Sequence, residues 1–264
     1  MKIQDFNKRY NQSSKTPITM ITSYDAFSAK TSHQAGVDCI LVGDSVGMVV
    51  YGFDSTLQVT TEMIARHTEA VRRAAPDSFI IADMPFMSNR KGFRDCMDAA
   101  EQLMRSGANA IKLEGARGNL EYVSHLVDSG IPVMGHLGLT PQSFQVFGGF
   151  KVQAKEELEQ QRLIKEAKQL QEAGIFALVI ECVPSSIAQK LTLELSIPTI
   201  GIGAGADCDG QVLVWHDLLG CNSGFKPKFL RRYANLDGTV TEAIQDYVKE
   251  VKEGSFPSKN ESYS

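Results

Sequence analysis

Three carboxylates close apolar runs at matching points of a repeating pattern: Asp44 ends ILVGD, Asp83 ends FIIAD and Glu114 ends AIKLE. A single acid after such a run is most simply a helix cap. Three of them at the ends of three consecutive strands repel one another unless a cation stands among them. The set therefore predicts a metal site at Asp44, Asp83 and Glu114. Oxygen-only ligation selects a hard ion that keeps some water, Mg²⁺ first. It also leaves coordination positions open for a chelating substrate, and one of the three acids can act through a water.

Lys112 precedes Glu114 by two residues, so on a strand both point to one face. A lysine facing the inside of a barrel must meet an anion, either Glu114 itself or a substrate carboxylate. A Schiff-base role is the third reading, and a metal already serving as electron sink makes it redundant. Glu181 closes the apolar run ALVIE. Partial desolvation there raises a carboxyl pKa, which suits a general base near neutral pH. The plainer alternative is an acid capping a helix at SSIAQ. His136, in VMGHLG, reads as a substrate hydrogen-bond partner or as a satisfied core histidine. His67 lies on an apolar helix face and reads as packing; His33, His125 and His216 have no such constellation around them.

Positioning these groups takes an alternation of strands and helices. Strand patterns fall at residues 19–25, 39–45, 79–85, 110–115, 131–138, 177–182, 198–205 and 211–217. Helical periodicity appears between several of them, with Ile64 and Val71, Ala100 and Leu103, or Leu163, Ala167 and Leu170 on single faces. Strands apolar on both faces belong in a parallel sheet covered by helices. Eight such units in 264 residues predict a single (β/α)8 TIM-barrel domain, 1–264, with an open doubly wound sheet as the rival topology. The polar end from about residue 254 is expected to lack order. Four helix patterns stop at Gly36, Gly107, Gly130 and Gly174, each able to take the left-handed conformation that ends a helix. Asp44, Glu114, His136 and Glu181 follow these glycines at similar distances, which places them on one rim, where barrel enzymes carry their chemistry.

Two connections on that rim, 46–60 and 139–156, exceed the usual few residues of a strand-to-helix loop. The second carries Phe144, Phe147 and Phe150, with Gly148–Gly149 as a hinge, and is expected to cover substrate. The glycine-rich GIGAGA at 201–206 imitates a dinucleotide fingerprint, but a polar turn and another strand follow it where a helix is required.

The remaining composition excludes several classes. A net charge of −4 with scattered basic residues gives no nucleic-acid footprint. No window approaches the length of a membrane span. The polar N-terminal segment lacks a secretory signal's apolar run, and five cysteines without a CxxC pair suit a reduced, cytoplasmic protein.

The segments ITSYDAF, ILVGDSVGMVVYG, TTEMIARHTEAVRR, ADMPF, AIKLEG, PVMGHLGLTPQS, ECVP and PTIGIGAG, in this order from Thr19 to Asp217, closely resemble the ketopantoate hydroxymethyltransferases. The resemblance implies a barrel of the phosphoenolpyruvate/pyruvate type. It implies transfer of a hydroxymethyl group from 5,10-methylenetetrahydrofolate to 3-methyl-2-oxobutanoate, giving 2-dehydropantoate on the route to pantothenate and coenzyme A. By the family pattern Asp44, Asp83 and Glu114 are the metal positions, with Asp44 and Asp83 expected as the direct ligands. Asp44, Ser45, Asp83 and Lys112 contact the keto acid, and Glu181 is the base. The family also implies a cytoplasmic homodecamer. Two other functions fit the same residues: a metal-dependent 2-oxo acid lyase or mutase that needs no folate, and a 2-oxo acid binding protein that would have no use for Glu181.

Overall fold

The structure, a computed structural model, describes residues 2–6, 16–149, 151–222, 224 and 226–263. Eight parallel strands close into a barrel in sequence order, β8 pairing back to β1. They are β1 (Ile18–Thr22), β2 (Cys39–Val42), β3 (Phe79–Asp83), β4 (Ala110–Glu114), β5 (Val133–Gly138), β6 (Ala177–Glu181), β7 (Thr199–Ile202) and β8 (Gly210–Leu213). Helices α1 (Ala26–Gln34), α2 (Thr61–Ala74), α3 (Phe93–Arg105), α4 (Leu120–Asp128), α5 (Glu157–Glu172) and α6 (Ser185–Glu194) follow the first six strands in turn. The alternation then breaks, because β7 passes to β8 through residues 203–209 without a helix. This is why GIGAGA cannot serve as a dinucleotide loop.

The chain divides into two compact units, Met1–Val214 and Trp215–Ser264. The first holds the whole barrel. The second holds a short helical turn, Trp215–Leu218, and the long helix α7 (Leu236–Glu253). The stretch after Gly254, expected to lack order, contains a turn of 3-10 helix at Lys259–Glu261. Among the described residues, no helix is long and apolar enough to cross a membrane.

Strand alternation sorts the core into two clusters. Side chains facing out of the barrel, such as Ile40, Ile80, Ile111, Leu113 and Leu178, pack against helix residues Ile64, Val71, Leu103, Leu126 and Leu170. Side chains facing in, including Met20, Leu41, Ile81, Met134 and Val179, fill the barrel. Phe6 seals its lower end, with its ring 5.3 Å from Phe79 and 5.1 Å from Phe176. An apolar floor leaves the opposite end for polar groups. Gly36, Gly107, Gly130 and Gly174 all have positive φ, as helix termination there requires.

Candidate active site

The inward row of each central strand runs from apolar to ionisable toward the C-terminal end. It reads Phe79–Ile81–Asp83 on β3, Ala110–Lys112–Glu114 on β4, Met134–His136 on β5 and Ala177–Val179–Glu181 on β6. Strand register then makes the pairs. Asp83 stands beside Lys112, Glu114 beside His136, and Gly138 beside Glu181. Lys112 Nζ lies 2.8 Å from Asp83 Oδ1 and 4.0 Å from Glu114 Oε1. So the lysine does share a face with Glu114, but its closer partner is Asp83. His136 bridges two acids, with Nδ1 3.3 Å from Glu114 Oε1 and Nε2 3.1 Å from Glu181 Oε2. The expected strand 39–45 stops at Val42, and Asp44 joins from the turn that follows, its backbone N–H donating to Asp83 Oδ2 at 2.9 Å.

Helix capping does not account for the acids. The turn after Asp44 starts at Ser45, the helix after Asp83 at Gly92, that after Glu114 at Asn119 and that after Glu181 at Pro184, none with a cap bond from these four acids. Asp44, Asp83, Lys112, Glu114 and His136 are all buried. Glu181 is less so, its side chain keeping 15% of its exposure at the mouth of the cluster.

Burial and mutual repulsion set the charges. Desolvation, then Asp83 and Glu114, holds the Asp44 carboxyl well above the usual range. Desolvation also raises Asp83, against the opposing pull of Lys112. For Lys112 desolvation favours the neutral amine, yet Asp83, Glu114 and Asp44 together overcome it and keep the ammonium protonated. Burial and Lys112 likewise oppose charge on His136, but its bonds to Glu114 and Glu181 win and lift it to about 9. Burial pushes Glu114 up, and the contacts with His136 and Lys112 more than reverse this.

Among the described residues, no group of three His, Cys, Asp or Glu side chains forms a finished ligand cage. A Mg²⁺ site does not need one, since that ion is held by one or two carboxylates and completed by water and substrate. The donors present fit this. Asp44 and Asp83 are buried acids that desolvation raises, and Asp44 carries in addition the repulsion of Asp83 and Glu114. Each of these is relieved by a nearby divalent charge.

Three residues outside the sequence-derived set support the site. Gln142 donates its backbone N–H to Glu114 Oε2 at 3.0 Å, and its side-chain amide to Asp44 Oδ2 and to the Met84 carbonyl, both at 2.9 Å. The start of the long β5–α5 connection therefore reaches back over strands β2 to β4, in keeping with a cover. Phe150 lies outside the described residues, while Phe144 and Phe147 are half-buried. Tyr24, fully buried on β1's extension, pairs its hydroxyl with Ser45 Oγ at 2.7 Å. His67, expected as simple packing, hydrogen-bonds the Tyr24 carbonyl and the Tyr51 hydroxyl. Nothing local marks Gln142 out from Gln145 or Gln153, and Tyr24 and His67 sit in runs that read as packing.

A family model described as ketopantoate hydroxymethyltransferase matches residues 1–259. A 3-methyl-2-oxobutanoate hydroxymethyltransferase of Bdellovibrio bacteriovorus is 55% identical over 99% of both chains. Another, from Coxiella burnetii, is 52% identical over 97% of this chain and 96% of its own. Among solved structures, 2,3-dimethylmalate lyase, a member of the PEP mutase/isocitrate lyase superfamily, superposes with a TM-score of 0.62 at 15% identity, covering 99% of this chain and 91% of that one. A phosphonomutase-like protein of Burkholderia cenocepacia gives 0.63 at 14%, over 96% and 98%. These last two show a shared barrel only.

Proposed function

The chain belongs to the ketopantoate hydroxymethyltransferase family and is an enzyme of that reaction, and from this premise we propose how its rim performs the transfer. The one-carbon donor is 5,10-methylenetetrahydrofolate and the acceptor 3-methyl-2-oxobutanoate. The observation that carries the reading is the placement of one buried ammonium, Lys112, among Asp44, Asp83 and Glu114, with Glu181 two strands away.

Asp44 and Asp83 would hold a divalent ion, with Glu114 reaching it through water. Such an ion supplies positive charge to the keto oxygen while C3 is deprotonated. Lys112 receives the substrate carboxylate, and the Ser45 hydroxyl, oriented by Tyr24, donates to the same group. Glu181 takes the C3 proton. It is the one acid of the cluster with a solvent-facing edge, and His136 fixes its carboxylate for that transfer. One water adds to the methylene carbon of the donor and both of its C–N bonds break, the two folate nitrogens taking the water's protons. C3 bonds to the one-carbon unit so released, whose oxygen takes the proton held by Glu181 and becomes the new hydroxyl. The seated β5–α5 connection keeps bulk water from the enolate, so that only the water consumed in the transfer takes part.

The test is turnover of 3-methyl-2-oxobutanoate with and without methylenetetrahydrofolate, at defined Mg²⁺. Glu181→Gln should abolish C3–H exchange into D₂O while keto-acid binding persists. Lys112→Ala should mainly weaken that binding. Full activity in excess chelator removes the metal, and exchange unchanged in Glu181→Gln removes the base.

A further inference from the structure

We propose that a cavity behind β5 receives the carboxylate-bearing aminobenzoyl-glutamate end of the one-carbon donor; this rests on the folate dependence proposed above. The cavity measures about 300 Å³. That is the small end of the range for organic ligands, roughly 300–1,000 Å³, so it suits part of an extended donor rather than all of it.

Its position touches the chemistry from outside the barrel. Gly115, directly after Glu114, and Gly138, the register partner of Glu181, both line it. A Cβ on Gly138 would come to 2.2 Å from the Glu181 carbonyl oxygen, so only glycine allows this approach. The part of the wall formed by Leu137, Phe147 and Leu163 is apolar and matches an aromatic ring.

The charge is cationic. Arg90, Arg117 and Arg162 face Glu159 and Glu166. Glu159 is already used, accepting the backbone N–H groups of Lys155 and Glu156 at the start of α5. Glu166 alone faces two guanidiniums, with Oε1 3.6 Å from Arg117 Nε and 3.7 Å from Arg162 Nε. Both distances exceed a hydrogen bond. The planar forks of Arg117 and Arg162 therefore keep donors for a carboxylate, the group they match in shape and charge. Arg90 donates Nη1 to the Arg117 carbonyl at 3.0 Å and leans over Gly115, which ties this cationic edge to the end of β4. A donor anchored here can extend its one-carbon end over the rim toward C3 of the keto acid.

The experiment compares wild type with Arg162→Glu and Arg117→Ala/Arg162→Ala as full-length protein. The readouts are KM for mono- and triglutamyl methylenetetrahydrofolate, KM for keto acid, and C3–H exchange without folate. Losing a charge-assisted bond should raise the donor KM about tenfold per arginine, more for the longer tail. Keto-acid KM and C3–H exchange should stay unchanged, which also shows that the variants fold. Donor KM within twofold of wild type overturns the proposal. If the wild type shows no folate-dependent turnover, the functional reading fails instead. Calorimetry with p-aminobenzoyl-glutamate then decides the cavity. Binding lost in Arg162→Glu supports it, and no binding to wild type, or equal binding to both, overturns it.

Discussion

His136 stands between two carboxylates that favour its protonated form, with Lys112 Nζ 3.4 Å from its Nδ1 opposing them, and the balance should be visible as a pH dependence of stability. Burial and the nearby Lys112 ammonium work against its charge, but Glu114 at Nδ1 and Glu181 at Nε2 raise its pKa from 6.5 to about 9. A folded pKa above the unfolded one means that the native state binds the extra proton. The stabilisation is then fully present below about pH 6.5 and is lost as pH rises through about 9. A shift of this size corresponds to on the order of 3 kcal/mol at 1.36 kcal/mol per unit. The measurement is urea unfolding of metal-free protein, in chelator, at pH steps from 6 to 9.5, for wild type and His136→Gln. The stability advantage of wild type should be constant below pH 6.5 and should shrink by on the order of 3 kcal/mol by pH 9. Two parallel curves would refute the bridged imidazolium. A gap that widened with pH would reverse its sign and assign a neutral ring.

Three further outcomes follow from the same geometry. Gly138→Ala, at φ +93° and with a Cβ 2.2 Å from the Glu181 carbonyl oxygen, should lower stability by about 3 kcal/mol or more and displace Glu181; an unchanged unfolding midpoint would contradict it. Gln142→Ala frees Asp44 Oδ2 and the Met84 carbonyl, so keto-acid KM should rise about tenfold, and steady-state kinetics with KM unmoved would show that the connection does not position Asp44. Lys112→Met leaves Asp83 without its cation and should cost about 3–5 kcal/mol near neutral pH. That cost should diminish in acid as Asp83 protonates, and chemical denaturation at pH 5 and pH 7.5 checks this.

Much of this site is legible in local patterns. Apolar runs ending in Asp83, Glu114 and Glu181 announce strands whose last inward residue is ionisable, the run before Asp44 ends at Val42 and leaves the acid in the next turn, and the folded barrel places all four on one rim. The glycines at 36, 107, 130 and 174 announce the helix ends, because only a left-handed residue terminates a helix so tightly. The excess length of 139–156 announces a functional connection. The polar turn between the runs 198–205 and 211–217 already leaves no room for a helix between β7 and β8, whereas no local pattern announces that the second unit begins at Trp215.

The sequence by itself determined the strand count, the common face of Lys112 and Glu114 and the acidic character of the rim. The first follows from the repeated apolar runs, the second from a spacing of two on a strand, and the third from the types of residue at strand ends. Tertiary structure alone decided who pairs with whom. Lys112 neutralises Asp83 more closely than Glu114, His136 joins Glu114 to Glu181, and Gln142 ties a distant connection to Asp44. The physical reason is register. Alternation specifies which face a side chain takes, whereas the stagger between neighbouring strands, set only when the barrel closes, specifies its height beside the next strand. Charges 3 Å apart and charges a residue's rise further apart have the same sequence signature, and only the closed barrel distinguishes them.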